Sequence, residues 1–118
     1  MNSRISKPLL FLAVIAVIVS SCSDRLPVTF TENNNIPAIF PDYTELVIPP
    51  NIAPLNFRIK EQGEEFAVHI SSKNGSKIVI AGKNPVIQIN NTDWKELLNS
   101  NKGEELNVDV FCRNAGKW

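Results

Sequence analysis

Phe66-Ala67-Val68-His69-Ile70-Ser71-Ser72-Lys73-Asn74-Gly75-Ser76-Lys77-Ile78-Val79-Ile80 decides the fold class of this chain. In an extended strand successive side chains point to opposite faces, so Phe66, Val68 and Ile70 share one face and His69 falls on the other. Asn74-Gly75 then signals a hairpin, because both residues tolerate positive φ. Past it, Ile78 and Ile80 return to the inward face and Val79 points away. The pattern has period 2, and it continues in both directions.

Upstream, Leu55-Asn56-Phe57-Arg58-Ile59-Lys60 alternates in the same way, and Glu61-Gln62-Gly63-Glu64 reads as the turn that follows it. Leu46 to Ile48 predicts a shorter strand, stopped by Pro49-Pro50. Downstream, Ala81-Gly82-Lys83-Asn84-Pro85 breaks the chain, Val86 to Asn90 predicts a fifth strand with Ile87 and Ile89 inward, and Glu105 to Arg113 predicts the sixth and longest. In that last strand Cys112 is in phase with Leu106, Val108 and Val110, as a small hydrophobe. One helix interrupts the series. Asp93 is read as its N-cap, with Glu96 three residues later in a capping-box pattern. Trp94, Leu97 and Leu98 share a face, and Gly103 is placed for the stop. A helix of about two turns cannot stand alone, so its apolar face must dock on the strands.

Six short strands with one short helix before the sixth predict a mainly β domain, an immunoglobulin-like β-sandwich with Greek-key connections. That architecture calls for a seventh strand beside the sixth. Asn114-Ala115-Gly116-Lys117-Trp118 reads as a turn plus the first residue of such a strand. The sixth strand is therefore expected to present an exposed edge. Either the gene product is truncated or a protein partner completes the domain at that edge.

The N-terminus carries an address. Arg4 and Lys7 give a positive head, and Leu9 to Val19 run without a charge. The run has the length of a signal-peptide core and is short of the roughly 17–25 apolar residues that span a bilayer. Val19-Ser20-Ser21-Cys22 follows at once and resembles the lipobox of bacterial lipoproteins. The resemblance implies cleavage between Ser21 and Cys22 and a diacylglycerol on the Cys22 thiol, completed by an acyl group on the new N-terminus. Several acyl chains, at about 0.8 kcal/mol per buried CH₂, make a stable tether. The expected organisation is a signal peptide at residues 1–21, a flexible linker at 22–41 and the sandwich domain at 42–118. The location implied is the bacterial cell envelope, at the outer membrane. Ser23-Asp24-Arg25 holds a single acidic residue after the cysteine, a weak match to the acidic run that exports some such lipoproteins to the cell surface.

Charge and cysteine count narrow the classes. Of the 12 basic residues, Arg4 and Lys7 lie in the signal, which leaves 10 against 12 acidic residues and a net charge of −2. That balance argues against nucleic acid as a partner, since phosphates need a basic face. With Cys22 acylated, Cys112 has no partner in the chain, and a disulfide framework is excluded.

Phe40-Pro41-Asp42-Tyr43-Thr44, followed by Ile48-Pro49-Pro50-Asn51-Ile52-Ala53-Pro54-Leu55-Asn56-Phe57, is similar to the opening of a family of Bacteroidota lipoproteins. The Trp94 to Leu98 helix and the closing Gly116-Lys117-Trp118 extend the likeness across residues 40–118. Longer members follow this domain with a TolB-like, WD-repeat-like β-propeller. No propeller is found in this sequence, so a binding role carried by the propeller does not transfer. Some relatives carry a cytochrome c biogenesis label, but there is no Cys-x-x-Cys-His here to support it. Read from its residues alone, the Pro49 to Pro54 segment is extended, polyproline-like backbone crossing one end of the sandwich.

No catalytic constellation emerges. His69 is the only histidine and has no neighbour at ligand spacing. Glu64-Glu65 and Glu104-Glu105 would point to opposite faces of their strands. There is no Gly-x-Ser-x-Gly elbow and no phosphate-cradling glycine loop. The sequence therefore predicts no metal, no cofactor beyond the lipid on Cys22, and a non-enzymatic scaffold or interaction module. The alternative is a glycan-binding lipoprotein in which Trp94, Tyr43 and Trp118 form an aromatic platform for a sugar ring.

Overall fold

A computed structural model of the protein describes residues 25–118. The signal peptide, the Ser21-Cys22 cleavage site and the Cys22 lipidation site lie outside the described residues. The elements are β1 (Ile39–Phe40), β2 (Phe57–Ile59), β3 (Glu65–Ser71), β4 (Ile78–Gly82), β5 (Val86–Ile87), α1 (Asn91–Ser100) and β6 (Asn107–Arg113). They form two antiparallel three-stranded sheets, ordered β1-β2-β5 and β4-β3-β6. The two sheets make a mainly β, sandwich-like fold, with α1 in the connection that leads to β6.

β3 is the spine of the larger sheet. It pairs with β4 from Phe66↔Gly82 to Ile70↔Ile78, and with β6 from Glu65↔Arg113 to Ser71↔Asn107. The alternation read from the sequence sets its inner face: Phe66, Val68 and Ile70 are buried and meet Phe57, Ile59, Ile87 and Ile89 from the smaller sheet and its extension. α1 closes the same core with Trp94, Leu97 and Leu98. Complete burial of a Leu or Ile side chain contributes about 1.5–3 kcal/mol, so these residues carry the domain. Ala67, on the opposite face of β3, is also fully buried. Its register partner Phe111 meets the Phe30 ring edge-on at 5.0 Å, so the N-terminal segment covers that face.

Local details depart from the sequence expectations. Leu46 to Ile48 is not a strand: Leu46 and Val47 are exposed and only Ile48 packs inward. Pro49 and Pro50 lack N–H donors, and the segment is built instead from turns closed by Leu46 N–H to Tyr43 C=O and Ile52 N–H to Pro49 C=O. The sixth strand of the set comes from β1, inside the stretch expected to be a flexible linker. Ile39 and Phe40 pair with Ile59 and Arg58, and Lys60 N–H donates to Ala38 C=O at 2.8 Å. The domain therefore begins before residue 42.

The helix is capped by Asn90, not Asp93. Asn90 Oδ1 accepts from the N–H groups of Thr92 (2.9 Å) and Asp93 (3.1 Å). Asp93 sits in the first turn, where a carboxylate complements the helix dipole. α1 ends at Ser100, and Gly103, at φ +79°, serves the following turn, closed by Glu104 N–H to Asn101 C=O. The Asn74-Gly75 pair does lie between β3 and β4, but in a loop at 72–77, not in a two-residue turn. Gly75 has φ +81° and a Cβ there would stand 3.1 Å from Ser100 Cβ, so both backbone and space call for glycine.

Candidate functional site

β6 stands at the edge of its sheet, as the sixth strand was expected to. Which of its backbone groups are free follows from two observations. Glu64 N–H donates to Arg113 C=O at 2.8 Å, so the backbone of Arg113 faces β3. Asn114 and Lys117 exchange both backbone bonds, at 2.8 and 2.9 Å, on the other side of the strand. Backbone polar groups alternate sides along a strand. Cys112, Val110 and Val108 therefore direct their N–H and C=O groups away from β3, along the open edge.

The chain turns back toward that edge. Ala115 (φ 51°) and Gly116 (φ 77°) form a two-residue hairpin turn with positive φ at both positions, as type I′ requires. The turn is held against the β3 entrance by Ala115 N–H to Glu64 Oε1 (3.0 Å) and Asn114 Nδ2 to Gln62 C=O (3.0 Å). Lys117 and Trp118 thus occupy the first positions of a strand lane beside β6. On the far side of that lane, Thr31 N–H donates to Trp118 C=O at 3.0 Å. The 31–37 segment continues as a wall facing β6, fastened at its end where Ala38 N–H donates to Glu61 Oε1 at 2.9 Å.

Between β6 and this wall lies a groove of about 820 Å³. It is lined by every residue from Val108 to Cys112, whose side chains alternate between the two faces of the sheet, so it runs along the edge and not over a face. Glu32, Glu61 and Asp109 bring three carboxylates to its lining against the single ammonium of Lys117.

The three aromatic residues expected to form a platform are not presented as one. Trp94 is 2% exposed, docked under the helix with its Nε1 donating to Ile52 C=O at 3.1 Å. Tyr43 is half-buried against the same core, and its hydroxyl donates to Asn56 C=O at 2.9 Å. Trp118 lines the groove, at the end of the lane. His69 is less open than its outward phase suggested. It lies opposite Asp109 in the β3–β6 register, with Nδ1 3.4 Å from Asp109 Oδ2. The pair Glu64-Glu65 is spent on structure, Glu65 on Arg113 (2.8 Å) and Glu64 on the turn at Ala115, while Glu104 Oε1 lies 4.0 Å from Lys73 Nζ on the surface. Among the described residues no three His, Cys, Asp or Glu side chains cluster as metal ligands, and no helix is long and apolar enough to cross a membrane.

Cys112 is half-buried in the groove wall. Burial, with the Glu61 charge adding to it, pushes its thiol above the ordinary cysteine value and keeps it protonated. One feature of the site has no local sequence signal. The wall at 31–37 shows no periodicity, and only the bond from Thr31 to Trp118 reveals its role. No protein-family model, no curated protein and no solved structure matches the chain.

Proposed function

We propose that the protein is a lipid-anchored lipoprotein of the bacterial envelope whose sandwich serves as a non-enzymatic interaction module. The observation that carries the module is the open edge of β6, with the backbone groups of Val108, Val110 and Cys112 turned into a walled groove. Edge strands left unpaired are templates for another chain, and folded proteins normally cover or blunt them. The anchor rests on Val19-Ser20-Ser21-Cys22 after an apolar run. The resemblance of residues 40–118 to the propeller-bearing Bacteroidota lipoproteins supports the envelope reading. A sugar platform finds no support in a Trp94 ring with both faces buried.

The anchor is tested by Cys22→Ser. The native chain is expected to take up labelled palmitate and to sediment with membranes, and the variant to lose the label and the processing. A Cys22→Ser chain that still fractionates with membranes, with the native chain unlabelled, would remove the lipoprotein reading.

A further inference from the structure

We propose that residues 26–30, laid over the outer face of the β4-β3-β6 sheet, are a contact surface for the bilayer that holds Cys22, so that the larger sheet faces the membrane at close range. The proposal rests on the lipid-anchor reading and adds to it the orientation of the domain.

The chain is fixed to the domain soon after the anchor. Ala67 and His69 belong to the outer face of β3, out of phase with the core residues Phe66, Val68 and Ile70. Ala67 pairs with Ala81 on one side and Phe111 on the other, and it is fully buried. The Phe30 ring meets Phe111 edge-on, and Leu26 and Pro27 are half-buried. Thr31 N–H then donates to Trp118 C=O, and Ile39 enters the smaller sheet. The stretch expected to be a flexible linker is therefore bound to the domain from Leu26 onward. Leu26 lies four residues along the chain from Cys22, and Val28 six. At no more than about 3.6 Å per residue, the reach is roughly 14 Å to Leu26 and 22 Å to Val28. An acylated cysteine stands at the level of the headgroups, a layer of about 5–8 Å outside the hydrocarbon core. The segment is thus held within that reach of the lipid, and the constraint comes from the N-terminal side alone.

Its composition suits the position. Leu26-Pro27-Val28-Thr29-Phe30-Thr31 carries no charge, between Arg25 and Glu32. Val28 is 97% exposed and Phe30 42%. Single exposed apolar residues are ordinary on a protein surface. Here two of them project from an uncharged run at the place the anchor brings to the lipid. Buried apolar area is what binds an interfacial segment. A short tether gives an effective concentration on the order of millimolar, so a contact too weak to hold a free domain is still populated. Phe40, Arg58 and Val86 form another exposed row, across the outer face of the smaller sheet. That row lies on the opposite side of the core, so the same tether turns it away from the membrane.

The test uses the full chain, processed in the cell, purified from membranes and returned to vesicles of phosphatidylethanolamine and phosphatidylglycerol. Mass spectrometry first reads the lipid on Cys22. In a Cys112→Ala background, Val28→Cys or Val86→Cys then carries a polarity-sensitive fluorophore, and lipids brominated along their acyl chains are the quencher. An interfacial contact sits at the acyl boundary, so the label at 28 is expected to be quenched about threefold or more over the label at 86. Val28→Asp should lower the quenching of a label on Thr29→Cys about twofold or more, with the urea midpoint unchanged because Val28 is exposed. A lipidated chain in which the labels at 28 and 86 are quenched alike, or the label at 86 more, would overturn the proposal and leave the anchor standing. So would a label at 28 shielded from water but not quenched, since another protein surface would then cover the segment. A Cys22 without lipid removes the anchor reading and the proposal with it.

Discussion

Asn101 is the residue on which the two ends of the domain are joined. It is 5% exposed, and its side chain makes three bonds: Oδ1 accepts from Asn74 N–H (2.8 Å), and Nδ2 donates to the carbonyls of Asn74 (2.7 Å) and Leu97 (2.8 Å). It ties the β3–β4 loop to the end of α1. Removing it strands partly buried backbone groups, at a cost of about 1–3 kcal/mol for Asn101→Ala in urea unfolding. Asn101→Asp separates the roles. It keeps the acceptor but turns a carboxylate toward two carbonyl oxygens, which raises its folded pKa above that in the unfolded chain. The deficit against the native chain should therefore be smallest below about pH 4 and grow as the pH rises to 7. A deficit unchanged across that range would mean that the Nδ2 bonds do not matter. Cys112 gives the second residue-scale prediction. Its raised thiol favours folding below the unfolded thiol value near ~8.5, and that advantage is lost as the pH rises through the folded value. The native urea midpoint should fall more steeply above that pH than that of Cys112→Ala, both in the Cys22→Ser background. Nothing in the sequence near Asn101 marks it, because two of its three bonds go to Asn74, 27 residues away in the other loop. Cys112, by contrast, was legible from its phase alone.

At the scale of elements, what was legible is what local pattern dictates. β3, β4 and the buried face of α1 follow from periods of 2 and 3.6, which survive whatever the strands pair with. The helix boundary was misplaced because Asn90, Asn91, Thr92 and Asp93 are all acceptable caps, and only tertiary docking selects Asn90. Asn90→Ala should cost about 1 kcal/mol, and Asp93→Ala less, since it loses only the dipole interaction. The reverse order in thermal unfolding would restore Asp93 as the cap. The 114–117 hairpin offers a gain. Ala115 holds a positive φ that costs a non-glycine residue roughly 1 kcal/mol, whereas Asn-Gly is the favoured pair for this turn. Ala115→Asn should raise stability by about 0.5–1 kcal/mol and tighten the mouth of the lane. No gain would indicate that the turn is not formed in solution. β1 was illegible for the opposite reason. Two residues between Pro37 and Pro41 carry no period, and they become a strand only because β2 is there to pair with them.

The whole molecule is a sandwich-like fold in which the edge of β6 faces the N-terminal segment across a groove. The mainly β architecture and the position of β6 at an edge were legible in the sequence, since the period of 2 and the strand pattern predict both. The wall was not, because a segment with no regular structure acquires its position from single long-range bonds. That position suggests a role for residues 26–36: keeping the β6 edge from pairing with another copy. Deleting 26–36 should spare both sheets, because their pairing starts at Ile39 and is fixed by Lys60 N–H to Ala38 C=O. It would remove the Thr31 bond to Trp118 and the Phe30 ring from Phe111. Far-UV circular dichroism should then stay close to native, while sedimentation velocity shows mass increasing with concentration as edges pair. Val110→Pro in the same deletion should return the monomer, because it removes a donor from the exposed edge without touching the ladder to β3. If the deleted chain sediments as a monomer at every concentration, the segment is not what guards the edge, and the edge is protected by its own charge at Asp109.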